Sequence, residues 1–189
     1  MTDQQPYTIV RDHGAFEVRR YPGHVLVEVE TAGTFETAGN RAFGQLFSYL
    51  RGANQSRQTL AMTAPVLSSG LPTRIAMTAP IVHQAANAGP GATGMRLAFV
   101  LPEGFTPETA PHPTNPNVHL RAVAPCVAAA LRFSGRWSTA NYDQHLRRLR
   151  SALKTEGLTA VGEPRFAQFD PPFLPWFLRH NEVVLDIKA

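Results

Sequence analysis

The 189-residue chain has a single cysteine, Cys126. One thiol excludes an internal disulfide framework and any zinc or iron–sulfur centre built on several cysteines. Cys126 sits in the apolar run Pro125-Cys-Val-Ala-Ala-Ala-Leu131, so a small core-facing side chain is expected there rather than a nucleophile. No stretch approaches the roughly 18 uninterrupted apolar residues of a membrane-spanning helix. The start, Met1 to Tyr7, is polar and has neither segment of a secretory leader, so a cytoplasmic location is expected. Charge is also sparse, at 17% against about 25% in typical soluble proteins. Eighteen basic and fourteen acidic residues leave only +4. The densest basic cluster, Arg147, Arg148, Arg150 and Lys154, has the spacing of a solvated helix face, and no nucleic-acid partner is expected. Gly-x-Ser-x-Gly, the P-loop, Gly-x-Gly-x-x-Gly and His-Glu-x-x-His are all missing, so no catalytic residue and no metal centre is assigned.

Hydrophobic residues make up 43% of the chain, enough for a full core. Phe16–Tyr21 and His24–Glu30 are β-rich runs around Pro22-Gly23 and read as a hairpin. From Thr34 to Leu50 the residues Phe43, Leu46, Phe47 and Leu50 recur at i, i+3, i+4, i+7, which predicts an amphipathic helix. Thr34 is its expected N-cap, Glu36 complements the N-terminus, and Gly52 is the expected left-handed cap. Leu60–Leu67, Ile75–Val82 and Met95–Leu101 read as strands. The five prolines between Pro102 and Pro116 exclude a central strand or helix and mark a surface connection. The pattern then returns. His119–Val123 and Cys126–Phe133 form a second strand pair, and Thr139–Glu156 a helix with Tyr142, Leu146, Leu149 and Leu153 on one face, closed by Gly157. Strands at 165–169 and 182–187 flank the apolar loop 170–178.

A shift of 102 positions superposes Arg19 on Arg121, Val25 on Val127, Gly33 on Gly135, Thr37 on Thr139 and Ala38 on Ala140. Two strand–strand–helix units that cannot each cover an apolar face pack into one closed or nearly closed sheet. The expected fold is α+β, a distorted antiparallel β-barrel with two outer helices and two pseudo-symmetric halves. Residues 1–6 are expected to be a flexible start and 7–189 a single domain, with halves at about 7–101 and 117–187. A shorter repeat, Ala-Met-Thr-Ala-Pro, occurs at 61–65 and 76–80. Met62 and Met77 there read either as core side chains or as contacts for a flat, polarizable ligand. Phe173-Leu-Pro-Trp-Phe-Leu178 reads as a core lid, a wall of a ligand cleft or an exposed patch. Glu28 and Glu30 read as residues of a solvated strand, and the Glu182 carboxylate either as tied to a backbone or Arg partner or, if buried, as an acid or base with a raised pKa. His24, His83, His112, His145 and His180 include no i, i+4 pair and read as surface or hydrogen-bonded residues.

Glu17-Val-Arg-Arg-Tyr21, Leu46-Phe-Ser-Tyr-Leu-Arg-Gly-Ala-Asn54, Met62-Thr-Ala-Pro-Val66, Phe169-Asp-Pro-Pro172 and Arg179-His-Asn-Glu-Val183 occur in an order that resembles the SOUL haem-binding family, from about Tyr7 to Ile187. The resemblance implies binding of haem or free porphyrin for buffering or transport, without chemistry on the ligand. Some members place a histidine, proposed as an iron ligand, where this chain has Arg20, which cannot coordinate a metal. Other members bind without it, against the first helix and the loop before the last strand. By the same resemblance Asn40, Phe43, Phe47, Ser48 and Leu174 match the binding positions. Arg41 and Arg51 are near enough to pair with propionates, and Trp176 and Phe177 offer faces for stacking. Haem binding is expected to be weak. The alternatives are an effector-binding-type module for another hydrophobic small molecule, or an enzyme acting on one.

Overall fold

In a computed structural model the described residues are 3–32, 35–55, 63–69, 94–170 and 173–188. They form β1 Asp3–Gln4, β2 Thr8–Asp12, β3 Glu17–Tyr21, β4 His24–Ala32, α1 Phe35–Leu50, β5 Thr63–Ser69, β6 Gly94–Val100, β7 Val118–Val123, β8 Cys126–Phe133, α2 Thr139–Thr155, β9 Ala160–Gln168 and β10 Asn181–Ile187. The strands join in one sheet in the order β2-β3-β8-β10-β9-β5-β6-β4-β7, antiparallel throughout; β1 adds to β5 in parallel. Read inward from β3 the order is β3, β8, β10, β9. Read inward from β7 it is β7, β4, β6, β5, the same list with the halves exchanged. The topology therefore carries the pseudo-twofold seen in the sequence repeat, and the α+β class with two helices holds. Near the start of the chain Asp3 and Gln4 pair with Thr63 and Ala64, and Gln5 is buried.

The expected hairpins do not form. β3 pairs with β2 and β8, while β4 pairs with β6 and β7, so each half lends its first strand to the other. Two-residue hairpin turns need positive φ at the first central residue, a conformation closed to Pro22 and unfavourable for Ala124. Both links instead carry the chain across, and they pack on each other: a Cβ on Gly23 would lie 3.4 Å from Pro125 Cδ.

The two helices cover the convex face. α1 packs on β4 and β6, and α2 on β8, β9 and β10. Leu46 and Tyr49 of α1 pack on Val25, Val27, Phe99 and Val118; Leu146 and Leu149 of α2 pack on Val18, Leu131, Phe166 and Val183. Burying such side chains gives about 1.5–3 kcal/mol each. The expected α2 face is buried, with Arg147, Arg148, Arg150 and Lys154 exposed opposite it. Ser138 caps its start by accepting from the Asn141 N–H, and Gly157, at φ +68°, ends it with the Leu158 N–H donating to the Leu153 carbonyl. Gly52, at φ +102°, closes α1 as expected. The apolar face of α1 differs from expectation. Ala42, Leu46, Tyr49 and Leu50 are buried, while Phe43 and Phe47 are 38% and 39% exposed. Tyr49 takes the core place because its hydroxyl reaches the Pro111 carbonyl at 2.8 Å.

That carbonyl belongs to the Pro-rich connection, which lies along the end of α1 rather than loose on the surface. Ala110 and Pro111 are buried, Asn54 bridges to Pro113, and the Gln55 N–H donates to the His112 carbonyl. Thr34 and the copy of the short repeat at 75–82, with Met62 and Met77, lie outside the described residues.

Candidate functional site

Alternation along the strands places Leu26, Ala98, Val100, Ala128, Ala130, Ala167 and Val184 on the concave face. Of these, Leu26, Ala167 and Val184 line a cavity of about 60 Å³ between the halves. Arg19 and Arg121, equivalent under the 102-residue shift, both line it. Arg19 is 4% exposed and grips the 2% exposed Glu182 with two hydrogen bonds, Nη1 to Oε2 at 2.7 Å and Nη2 to Oε1 at 2.9 Å. It also donates to Glu17 at 2.7 Å and sits 4.1 Å from the Tyr7 ring centre. His180 Nε2 lies 2.8 Å from the same Glu182. Burial works against both charges, but the Glu182 carboxylate more than offsets it for Arg19 and raises that pKa. For Glu182 burial is likewise overcome, by His180 and Arg19, and its carboxyl is held below the ordinary range. The acid is therefore an ionised structural partner, as the sequence suggests. Glu28 is a correction: it faces the concave side, is 7% exposed, and accepts from Arg121 Nε at 2.8 Å. Burial pushes Tyr21 up to about 12 and also raises the Cys126 thiol, so both present protonated groups to the cavity.

The convex face is built differently. The Phe43 and Phe47 rings are nearly parallel, 15° apart with centres 5.8 Å apart, and Arg51 lies 5.7 Å over Phe47. Phe43 also meets the buried Phe99 edge-on at 5.3 Å. This flank of α1 therefore faces the β6 side. The row Phe99–Val66–Gln168 runs across β6, β5 and β9. Two strand spacings, about 10 Å, thus separate the residue beneath Phe43 from the end of β9, where the aromatic loop begins. β5 is the strip between the two helices.

The loop is no core lid. Phe173 is 85% exposed, Phe177 57%, Leu178 62% and Trp176 48%. Its base is fixed: Asn181, fully buried, accepts from Trp137 Nε1 at 2.8 Å and donates to the Gly135 carbonyl at 3.2 Å, while the Gly135 N–H donates to the Trp176 carbonyl. Arg136 lies 5.8 Å over Trp176, and Arg179 donates to the Leu174 carbonyl.

The nine expected binding residues thus fall in three places. Phe43, Phe47 and Arg51 form the aromatic flank of α1, and Asn40 lies on the same helix. Arg41 and Ser48 line a cavity on its other flank. Leu174, Trp176 and Phe177 belong to the loop. Sequence reasoning missed the Arg19–Glu182–His180 cluster because residues 163 apart meet only through the strand exchange; the shift-related Arg19 and Arg121 were the available signal. Of the histidines, His24 Nδ1 lies 3.0 Å from the Pro22 carbonyl, and Gln5 Nε2 lies 3.3 Å from its other nitrogen. His145 is buried and stacked on Phe133, with Nδ1 bonded to the Asn141 carbonyl. Among the described residues no cluster of His, Cys, Asp and Glu has metal-binding geometry, and no helix is long and apolar enough to cross a membrane.

A curled antiparallel sheet with two outer helices is a fold shared with solved structures of other proteins. The EcmrR C-terminal domain aligns over 97% of this chain and 98% of its own, at TM-score 0.64 and 10% identity. A structure described as a hydrolase from Listeria innocua aligns over 90% and 91%, at TM-score 0.60 and 11% identity. At such identities the likeness concerns the fold alone. The particular family follows from the sequence: the model of the SOUL heme-binding protein family matches residues 2–186, and the chain belongs to that family. Heme-binding protein 1 of Xenopus tropicalis is 26% identical over 179 residues, covering 90% of this chain and 87% of the relative. Its Xenopus laevis counterpart is 24% identical over the same span.

Proposed function

We propose that the chain binds haem or metal-free porphyrin by surface contact in the groove over β5, between the aromatic flank of α1 and the β9–β10 loop, and buffers or carries it without turnover. The observation that carries this reading is the pair of outward, nearly parallel rings Phe43 and Phe47 with Arg51 beside them. A folding core has no use for two phenylalanines left more than a third exposed, whereas a flat ligand does. Family membership supports the ligand class. The loop supplies Leu174, Trp176 and Phe177 as the opposing wall, and Arg51 and Arg136 are the cations placed to meet propionates. The 60 Å³ concave cavity is far below the roughly 300 Å³ at which small-molecule pockets begin, so a macrocycle belongs on the convex side.

Burying roughly 400 Å² of porphyrin at ~25 cal/mol/Å² yields on the order of 10 kcal/mol. Association costs about 4–15 kcal/mol, so contact alone leaves at most about 6 kcal/mol, and one or two Arg–propionate pairs at about 1.5–3 kcal/mol each bring binding to the roughly micromolar range. Iron ligation is not needed, and both nitrogens of His24 and the Nε2 of His180 already have partners. The test is a titration with haemin and with metal-free protoporphyrin, followed by tryptophan fluorescence and the Soret band. Similar affinities are expected for both ligands. Phe43→Ser with Phe47→Ser should weaken both about tenfold, and His24→Ala or His180→Ala should change neither. A sharp iron-dependent band lost in one histidine variant would overturn the reading. A second reading, a module for another hydrophobic small molecule, draws on the charged concave cavity. Among the described residues its one lining carboxylate, Glu182, is already held by Arg19 and His180, which counts against a cationic guest.

A further inference from the structure

The second flank of α1 faces away from the groove over β5, toward β7 and the Pro-rich connection. There Arg41, Gly44, Gln45 and Ser48, spaced i, i+3, i+4, i+7, share one face and form one wall of a cavity of about 290 Å³; Pro113, Asn115 and Val118 stand opposite. That volume is near the lower end of small-molecule pockets. We propose that this cavity is a binding site for a small anion, a carboxylate or a phosphate, held by Arg41 with the side-chain amides of Gln45 and Asn115 as neutral donors.

Three observations carry the assignment. First, among the described residues no acidic one lines the cavity, while Arg41 stands exposed at it. Second, its amides are set to donate. Gln45 Oε1 is shut away from solvent with no hydrogen-bond partner among the described residues, an arrangement that costs about 1–3 kcal/mol. The cost has an explanation if the residue is held to turn its NH2 group to the cavity. Asn115 Oδ1 accepts from the Asn117 N–H at 3.0 Å, which likewise leaves an NH2 end for a guest. The other hydroxyls are spent: Ser48 donates to the Gly44 carbonyl at 2.9 Å and Tyr49 to Pro111. Third, Gly44 keeps the space open. A Cβ built on it meets nothing within 4 Å, and a glycine inside a helix costs about 1 kcal/mol relative to alanine. Position 44 is therefore open to the cavity, at some cost in helix stability.

The experiment uses the full chain, isotopically labelled, with the side-chain NH2 signals of Gln45 and Asn115 followed during titration with inorganic phosphate and, separately, with succinate, at fixed ionic strength. Saturable shifts of both amides are expected with at least one probe. Phosphate alone would identify a phosphoryl ligand and succinate alone a carboxylate. Gly44→Phe, which fills the gap, should abolish the shifts. Arg41→Glu, at an exposed position where folding is not at stake, should weaken binding at least about tenfold, the loss of one charge-assisted hydrogen bond. Absence of any shift at Gln45 and Asn115, or shifts that survive Arg41→Glu, would overturn the assignment. So would displacement of the anion by haemin, because the two flanks would then be one site. The proposal does not rest on porphyrin binding: a chain that ignores haemin yet shifts on phosphate sinks only the groove.

Discussion

α2 buries Tyr142, His145, Leu146, Leu149 and Leu153 and turns its arginines to solvent, whereas α1 buries Ala42, Leu46, Tyr49 and Leu50 and leaves Phe43 and Phe47 more than a third exposed. Both helices follow a borrowed strand pair and close with a glycine in the left-handed region. They differ at the flanks. α2 meets its sheet with one saturated face. α1 carries an aromatic stripe on the β6 side and a polar stripe with a glycine gap on the β7 side. A duplicated frame needs both helices to cover the sheet, but only one is needed for stability alone to determine every position. In the second half the exposed aromatic side chains lie on the β9–β10 loop rather than on the helix.

The same asymmetry separates the paired arginines, and it offers the largest effect to measure. Arg19 holds Glu182 inside the protein with both side chains 5% exposed or less, while the Arg121 side chain is 42% exposed and meets Glu28 through Nε. Arg19→Ala strands a buried carboxylate and should cost about 3–5 kcal/mol in urea unfolding. Arg121→Ala, screened by solvent, should cost under about 1 kcal/mol. Equal losses at the two positions would erase the distinction. Next in size is the contrast between the helices. Leu149→Ala, at a fully buried site, should cost about 2–5 kcal/mol and leave porphyrin affinity unchanged. Phe47→Ala should cost about 1 kcal/mol and lower the affinity. A Phe47 variant that unfolds like Leu149→Ala would make the aromatic flank part of the core.

Much of this architecture can be read from the residues, because it rests on local periodicity. Tyr142, Leu146, Leu149 and Leu153 mark a buried face, Gly52 and Gly157 mark helix ends, and the 102-residue shift marks the halves. The strand exchange is not legible in that way. The runs around Pro22-Gly23 look like a hairpin unless the φ demanded of the first turn residue is checked against proline. The helical pattern 43, 46, 47, 50 names an apolar face, yet Tyr49 outcompetes Phe43 and Phe47 for the core through a hydroxyl bond to a carbonyl 62 residues away. Glu28 looks solvated because nothing local reveals which side of β4 faces the concave charges. Long-range pairing decided each of these differences.

The smallest effect tests the asymmetry most finely. Under the 102-residue shift His24 corresponds to Cys126, and both line the cavity between the halves. Burial lowers the His24 pKa from its ordinary 6.5, with Arg165 and Arg121 adding to the effect and only the Pro22 carbonyl and Asp186 opposing it. A group that is less basic folded than unfolded leaves the unfolded chain binding more protons as pH falls through 6.5. Stability is therefore complete above that value and declines below it, down to the depressed folded pKa. Glu182 follows the same sign at lower pH: its contribution is present above the ordinary 4.5 and is lost as pH falls through its depressed folded value. Cys126, pushed upward by burial, does not titrate in this range. Urea midpoints measured from about pH 8 to about pH 2 should thus fall in two steps. His24→Gln should remove the first step and leave the second, whereas Cys126→Ala should leave both. A first step that persists without His24 would move the acid sensitivity out of this cavity and away from the first half.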